Sequence, residues 1–261
     1  MSETTELTQE AAAPGELKPF ETLLGVVIRP ARTFDRMREA PRTYWWILAA
    51  VTAVLLVISL AVQAPITART SEEQIRTQLD LDGSGDLDEQ EQQMFDQAMT
   101  FSTNPLFIVV IPSITALIGL ALGYGVRGGV LYLLGMALGG RAQFGQMIRM
   151  AVWTTLPNAV RALLSVIVVL ATGRLPATGL TAAMTVEEIA SAPVLAAFLQ
   201  NIDLFTLWSL VLIALGTAAT ARFSRGKGAI VAAIWWALVT LVAVGLAAVS
   251  KLLIAQAGFA G

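Results

Sequence analysis

Tyr44 to Val62 carries no charged residue and opens on the aromatic pair Trp45 and Trp46. A bilayer core is crossed by ~20 apolar residues of helix, with such aromatic residues at the membrane interface. Runs of the same kind recur at about 106–126, 157–172, 204–221 and 229–249. Composition agrees with a chain solvated largely by something other than water. The 261 residues are 56% hydrophobic and 14% charged, with mean hydropathy +0.68, whereas soluble domains carry ~25% charged residues. The expected fold is all-α, a polytopic membrane helical bundle with five transmembrane helices.

Charge orients it. Arg29, Arg32, Arg36, Arg38 and Arg42 crowd the approach to the first span. Arg141 and Arg149 lie between the second and third, and Arg222, Arg225 and Lys227 between the fourth and fifth. The intervening loops, 63–104 and 173–203, are acidic or nearly uncharged. Positive charge stays on the cytoplasmic side, so the N-terminus is expected in the cytoplasm and the C-terminus outside it. Residues 1–17 read as a disordered acidic tail, without the basic and apolar regions of a cleavable signal peptide. Residues 18–43 read as basic amphipathic surface helices on the cytoplasmic side, interrupted at Pro30. They either touch anionic lipid head groups or serve only as a topogenic flank; both readings stand. The membrane domain is 44–261.

The spans and loops carry further local expectations. The run from Pro105 to Leu138 would make a helix of about 50 Å, so Leu106 to Val126 is taken as the span, with Arg127 near the cytoplasmic interface. Pro112 is a candidate kink, and Gly119, Gly123, Gly125 and Gly129 permit close helix approach within the bundle. In the third span, a break at Pro157 puts Phe144 to Thr155 along the cytoplasmic surface and lets Arg161 snorkel instead of sitting at mid-membrane. Ser113, Thr115 and Ser165 are expected to bond to their own helix backbone. Thr185 to Glu188 matches a capping box, starting a short helix that runs toward Leu199 past Pro193.

The long polar insertion contains Asp-Leu-Asp-Gly-Ser-Gly-Asp-Leu-Asp-Glu-Gln-Glu, Asp80 to Glu91. It fits the EF-hand calcium loop, with Asp80, Asp82 and Ser84 at loop positions 1, 3 and 5 and Gly85 at the turn. Asp86 supplies the carbonyl of position 7, Asp88 the water-mediated ligand of position 9, and Glu91 the bidentate ligand of position 12. An acidic solvated loop could match by chance, but Gly85, Leu87 and Glu91 match as well as the aspartates. One loop without a pair, and Gln92 in place of the usual apolar residue, set the expected Ca2+ affinity in the weak range of extracellular modules, roughly 10⁻⁴ to 10⁻³ M. The charge pattern puts this loop on the extracytoplasmic side.

Leu23-Leu-Gly-Val-Val-Ile-Arg-Pro-Ala-Arg-Thr-Phe-Asp-Arg-Met-Arg-Glu-Ala-Pro41 precedes the first span. Gly139-Gly-Arg-Ala-Gln-Phe144 is followed by Thr154-Thr-Leu-Pro-Asn158, and Asn201-Ile-Asp-Leu-Phe-Thr-Leu-Trp208 by Ser224-Arg-Gly-Lys-Gly-Ala229. In this order the pieces resemble the Yip family (Ypt-interacting proteins) of integral membrane proteins, in its bacterial branch, with the calcium loop as an insertion. The resemblance runs from about Phe20 onward and implies five spans with a cytoplasmic N-terminus. Eukaryotic members act in Golgi vesicle traffic with Rab-type GTPases. Their Asp-Leu-Tyr-Gly-Pro motif has no counterpart here, so that role does not carry over, and no catalytic residues come with the resemblance.

Cysteine and histidine are absent, which removes thiolate and imidazole metal sites, cysteine nucleophiles and any Ser-His-Asp triad. The spans carry no paired carboxylates. The expected function is therefore non-enzymatic: a protein of the bacterial cytoplasmic membrane that organises lipids, partner proteins or copies of itself, with no nucleic-acid partner. The competing expectation is a small transporter or channel modulated by the outer loop, in which Arg127, Pro157, Asn158 and Arg161 would act.

Overall fold

The computed structural model describes residues 18–40, 43–79 and 86–257. Among the described residues the regular elements are helical, and five helices are long and apolar enough to cross a membrane. Helix α1 (Pro19–Ile28) and α2 (Pro30–Glu39) each begin on a proline, which suits the first turn because its N–H has no intrahelical partner to lose. They fold back on one another closely enough that a Cβ on Gly25 would overlap Thr33. Val26 and Phe34 point inward, and α2 packs on the later helix α10. Phe20, Leu24 and Ile28 stay on the outside of α1.

Helix α3 (Trp45–Leu79) is continuous. It therefore carries the first span straight on, past Pro65, into the first half of the polar insertion, and α4 (Glu89–Thr103) forms the second half. At 1.5 Å per residue α3 is about 52 Å long. The next apolar run is also unbroken in direction, with a π-helical turn (Leu106–Val110) followed by α5 (Ile111–Ala137). Pro112 sits directly after the widened turn, where its missing N–H and its ring displace the ordinary helical bond.

The third span is a broken helix. Helix α6 (Phe144–Trp153) and α7 (Leu156–Thr172) meet at Thr154 and Thr155. The hydroxyls of both threonines donate to backbone carbonyls three residues earlier, at 2.7 Å each, and Pro157 is the second residue of α7. The break falls where expected, but α6 does not lie apart from the spans. Phe144 meets the ring of Tyr132, and Ile148 lies against Gly128, so α6 runs antiparallel to the last turns of α5. Met147, Ala151, Val152 and Trp153 are buried. An interior helix is the better solution because most of its residues are apolar and α5, α10 and α2 supply a surface to cover them.

Beyond α7 come a 3₁₀ turn (Gly179–Ala183), α8 (Val186–Ser191) and α9 (Pro193–Leu199). The expected capping box opens α8, with Thr185 and Glu188 exchanging side-chain and backbone bonds. Then follow α10 (Leu204–Ala221) and α11 (Arg225–Ala257). These two pack closely, since a Cβ on Gly228 would overlap the carbonyl of Ala214; α10 also lies close to α6, where a Cβ on Gly216 would lie 2.6 Å from Met150 Sδ.

At the basic end of the bundle, α5, α10 and α11 share a floor. Arg141 N–H donates to Ala221 O at 2.9 Å, and Lys227 Nζ donates to Leu138 O at 2.6 Å. From this floor α10 rises only about 27 Å, whereas α5 with its π turn and α11 rise about 50 Å. Helix α10 therefore begins inside the bundle, and the segment from Gly173 to Asp203 comes back down to meet it. Phe198 packs on Trp236, and Trp236 Nε1 donates to Asn201 O at 3.2 Å. Trp236 lies 11 residues into a helix that continues to Ala257. The loop between the third and fourth spans is thus partly a plug in the bundle.

The close-approach glycines differ from those expected. A Cβ on Gly119, Gly123, Gly125 or Gly129 would meet nothing within 4 Å. Gly128 instead touches Ile148, and Gly135 faces Met147 and Ala221. One residue is about 100° around a helix, so neighbours such as Gly128 and Gly129 face different surroundings.

Candidate functional site

Two regions carry charge in a pattern that packing alone does not require. The first is the helix–loop–helix between α3 and α4. The described part of α3 runs to Leu79, the residue before loop position 1, and α4 begins at Glu89, loop position 10. Asp88 is the N-cap of α4: its Oδ1 accepts the backbone N–H groups of Gln90 at 2.8 Å and Glu91 at 2.7 Å. Glu91 Oε2 accepts the N–H of Asp88 at 3.0 Å in return. This reciprocal cap satisfies helix N–H groups that would otherwise have no partner, and its carboxylates also favour the positive end of the helix. Helices α3 and α4 pack against each other, and Glu91 is buried at their junction. Asp86, Asp88 and Glu91 lie within the described residues; Asp80, Asp82 and Ser84 lie outside them. Among the described residues, no group of three or more His, Cys, Asp or Glu could hold a metal ion.

The second region is a charged layer inside the bundle. Arg127, on α5, is buried among the helices. It is 8% exposed, its guanidinium lies 5.6 Å from the centre of the Trp235 ring, and Nη2 donates to Thr154 O at 3.4 Å. Its residue is ten short of the end of α5 at Ala137, about 15 Å above the floor. The break between α6 and α7 gives it that carbonyl, because Thr154 lies at the end of a helix.

Arg161 reaches across to α10 instead of standing alone. Its Nη2 donates to both carboxylate oxygens of Asp203 and to Thr206 Oγ1 at 3.2 Å. Its guanidinium also lies 5.3 Å from the centre of the Phe205 ring. Asp203 is at the same time the N-cap of α10, accepting the N–H of Thr206 at 2.9 Å and its hydroxyl at 3.0 Å. One carboxylate thus starts a helix and neutralises an arginine on another. The start of α10 inside the bundle makes this possible by placing its first turn at the level of Arg161.

The ion pair stands between two cavities. One, of about 210 Å3, is lined by Arg127, Asn158, Arg161, Thr206, Ser209 and Trp235. The other, of about 270 Å3, lies toward the returning loop and includes Arg161, Ser165, Asp203 and Pro176 to Gly179. Arg161 lines both.

Arg127, Asn158 and Arg161 were legible as polar residues in apolar runs, and the structure brings all three to one cavity; Pro157 serves as a helix start next to it. Asp203, Thr206, Ser209 and Trp235 were not recognised. A signal for Asp203 existed: an acidic residue directly before an apolar run, with a helix start to cap, and an intramembrane arginine in need of a carboxylate. Ser113 also departs from expectation. Its hydroxyl is buried without a hydrogen-bond partner among the described residues, rather than bonded to its own helix.

Spanning helices enclosing an ion pair and a polar cavity define a multi-pass helical membrane protein. The Yip1 domain matches residues 24–247, and the chain belongs to the Yip family. No curated protein matches the chain, and no solved structure does.

Proposed function

We propose that this Yip-family protein is a non-enzymatic organiser of lipids or partner proteins, with a weak Ca2+-binding loop on the extracytoplasmic side of the bacterial cytoplasmic membrane. The observation that carries the reading is the cap of α4: it is made by the residues at loop positions 9 and 12, Asp88 and Glu91, on a helix that packs against α3. The donor set fits a hard cation: side-chain oxygens of Asp80, Asp82, Ser84, Asp88 and Glu91, with the carbonyl of Asp86. Bound Ca2+ would supply positive charge to a loop whose carboxylates otherwise repel one another. The chain's part is to hold the two helices at the loop's ends, which the Asp88–Glu91 cap and the packing of α3 on α4 support. At the basic end, the outward apolar face of α1 beside the arginines of α2 suits an anionic lipid surface.

Isothermal titration of the intact protein in detergent tests the loop. The expected result is saturable Ca2+ binding with Kd roughly 10⁻⁴ to 10⁻³ M, lost in Asp80→Ala. Absence of calcium-dependent heat at millimolar ion would remove the claim.

A transport reading draws on one observation, the polar cavities that share Arg161. Flux of a solute into protein-containing liposomes, lost in Arg161→Ala, would favour it over organisation.

A further inference from the structure

The interior layer is unbalanced in charge. Arg127 and Arg161 contribute two positive charges and Asp203 one negative charge, and Asp203 is already engaged by Arg161. Among the described residues no carboxylate pairs with Arg127. Its Nε is buried without a hydrogen-bond partner, and so is the hydroxyl of Ser209, which is 6% exposed. Both residues line the same cavity of about 210 Å3, together with Asn158 and Thr206. A buried cation without a counter-charge is strongly unfavourable, and buried donors without acceptors add to the cost. The Trp235 face offsets part of this as a cation–π contact but contributes no negative charge. At about 210 Å3 the cavity has room for an oxyanion and part of what carries it.

We propose that this cavity binds an oxyanion of the phosphate type. Arg127 supplies the counter-charge, and Ser209 and Asn158 donate hydrogen bonds. Arginine suits this ligand because its fork of N–H groups matches phosphate oxygens. Donors come from three helices, α5, α7 and α10, which suits a tetrahedral group better than a planar carboxylate. The same chemistry has two sources, the phosphodiester of an anionic lipid and free inorganic phosphate. The proposal does not depend on calcium at the outer loop.

The test uses the intact protein in two arms. In detergent and chloride buffer, thermal unfolding is followed as inorganic phosphate is added. In nanodiscs of phosphatidylcholine, with or without phosphatidylglycerol, retained lipid is measured by native mass spectrometry. A saturable rise in unfolding temperature in the first arm identifies the free ion as a source. Selective retention of phosphatidylglycerol in the second identifies the lipid, and either result supports the site. In the responding arm, Ser209→Ala should weaken binding about tenfold, the loss of one hydrogen bond to a charged group. Arg127→Met should abolish it. Without anion, Arg127→Met should unfold no earlier than the wild type, because it removes an uncompensated buried charge. That combination separates an anion site from a structural arginine. No saturable response in either arm, or a response unchanged by Ser209→Ala and Arg127→Met, overturns the proposal. Should Arg127→Met fail to fold, Ser209→Ala decides alone, since its hydroxyl has no partner among the described residues to lose.

Discussion

Replacing Asp203 tests whether one carboxylate holds two parts of the bundle together. Its two roles separate by choice of substitution. Asp203→Asn keeps a side-chain oxygen for the Thr206 N–H, and asparagine caps helices about as well as aspartate. Asp203→Ala removes both the cap and the charge. Loss of an N-cap costs about 1 kcal/mol. Breaking a buried ion pair by removing one partner costs about 3–5 kcal/mol. Here the side chains of Arg161 and Asp203 retain 31% and 13% exposure, and a cavity lies on either side, so about 2 kcal/mol is the reasonable share. The expected losses are about 2 kcal/mol for Asp203→Asn and about 3 kcal/mol for Asp203→Ala. At about 2–4 °C per kcal/mol for a chain near this size, they correspond to roughly 4–8 °C and 6–12 °C.

Circular dichroism of the protein in mild detergent gives these shifts, and a double-mutant cycle with Arg161→Met isolates the pair. The coupling should be about 1.5–2 kcal/mol, because Asp203 without Arg161 still accepts from Thr206 while Arg161 without Asp203 has no charge partner. An Asp203→Asn protein as stable as the wild type, with coupling below about 0.5 kcal/mol, would show that the pair does not hold α7 to α10. Equal losses in Asp203→Asn and Asp203→Ala would show instead that the cap contributes nothing.

Two glycine substitutions should act in opposite directions. Gly228→Ala places a Cβ against the Ala214 carbonyl and should destabilise by about 1–3 kcal/mol, as other overpacked contacts do; Gly123→Ala enters open space and should stabilise α5 by up to about 1 kcal/mol. Thermal unfolding in detergent checks both, and a strongly destabilising Gly123→Ala would mean that this face of α5 is covered in the membrane. The topology is open to direct labelling because the chain has no native cysteine. In intact cells a membrane-impermeant maleimide should modify Gln92→Cys and spare Ser224→Cys until the membrane is broken; the reverse pattern would invert the orientation and put the calcium loop in the cytoplasm.

Hydrophobic runs and local caps were readable from the chain because their causes are local. A run such as Tyr44 to Val62 has few options in a bilayer, since lipid offers its backbone no hydrogen bonds. Thr185-x-x-Glu188 starts a helix through atoms three residues apart, and the expected cap forms; Asp88 and Glu91, read from the chain as calcium-loop positions, form a second such cap in the structure. The Yip resemblance rested on the same kind of short-range pattern and holds over 24–247. Hydropathy also counted the spans correctly.

Axial offset between helices was not readable in this way. Nothing in the run from Leu204 to Ala221 says that it begins well inside the bundle, yet that start brings Asp203 to Arg161, 42 residues away. Nothing near Arg127 says that Thr154 will offer it a carbonyl or Trp235 a ring. Span by span, the cheapest position for an arginine is the interface; in the assembled bundle it is wherever a carboxylate, a carbonyl or an aromatic face awaits it. The sequence by itself determined the membrane class, the number of spans and the family. Only the tertiary structure decided that Arg127 and Arg161 line one cavity, one in an ion pair and the other with no carboxylate partner among the described residues, because electrostatic partners depend on how far each helix slides along its neighbours.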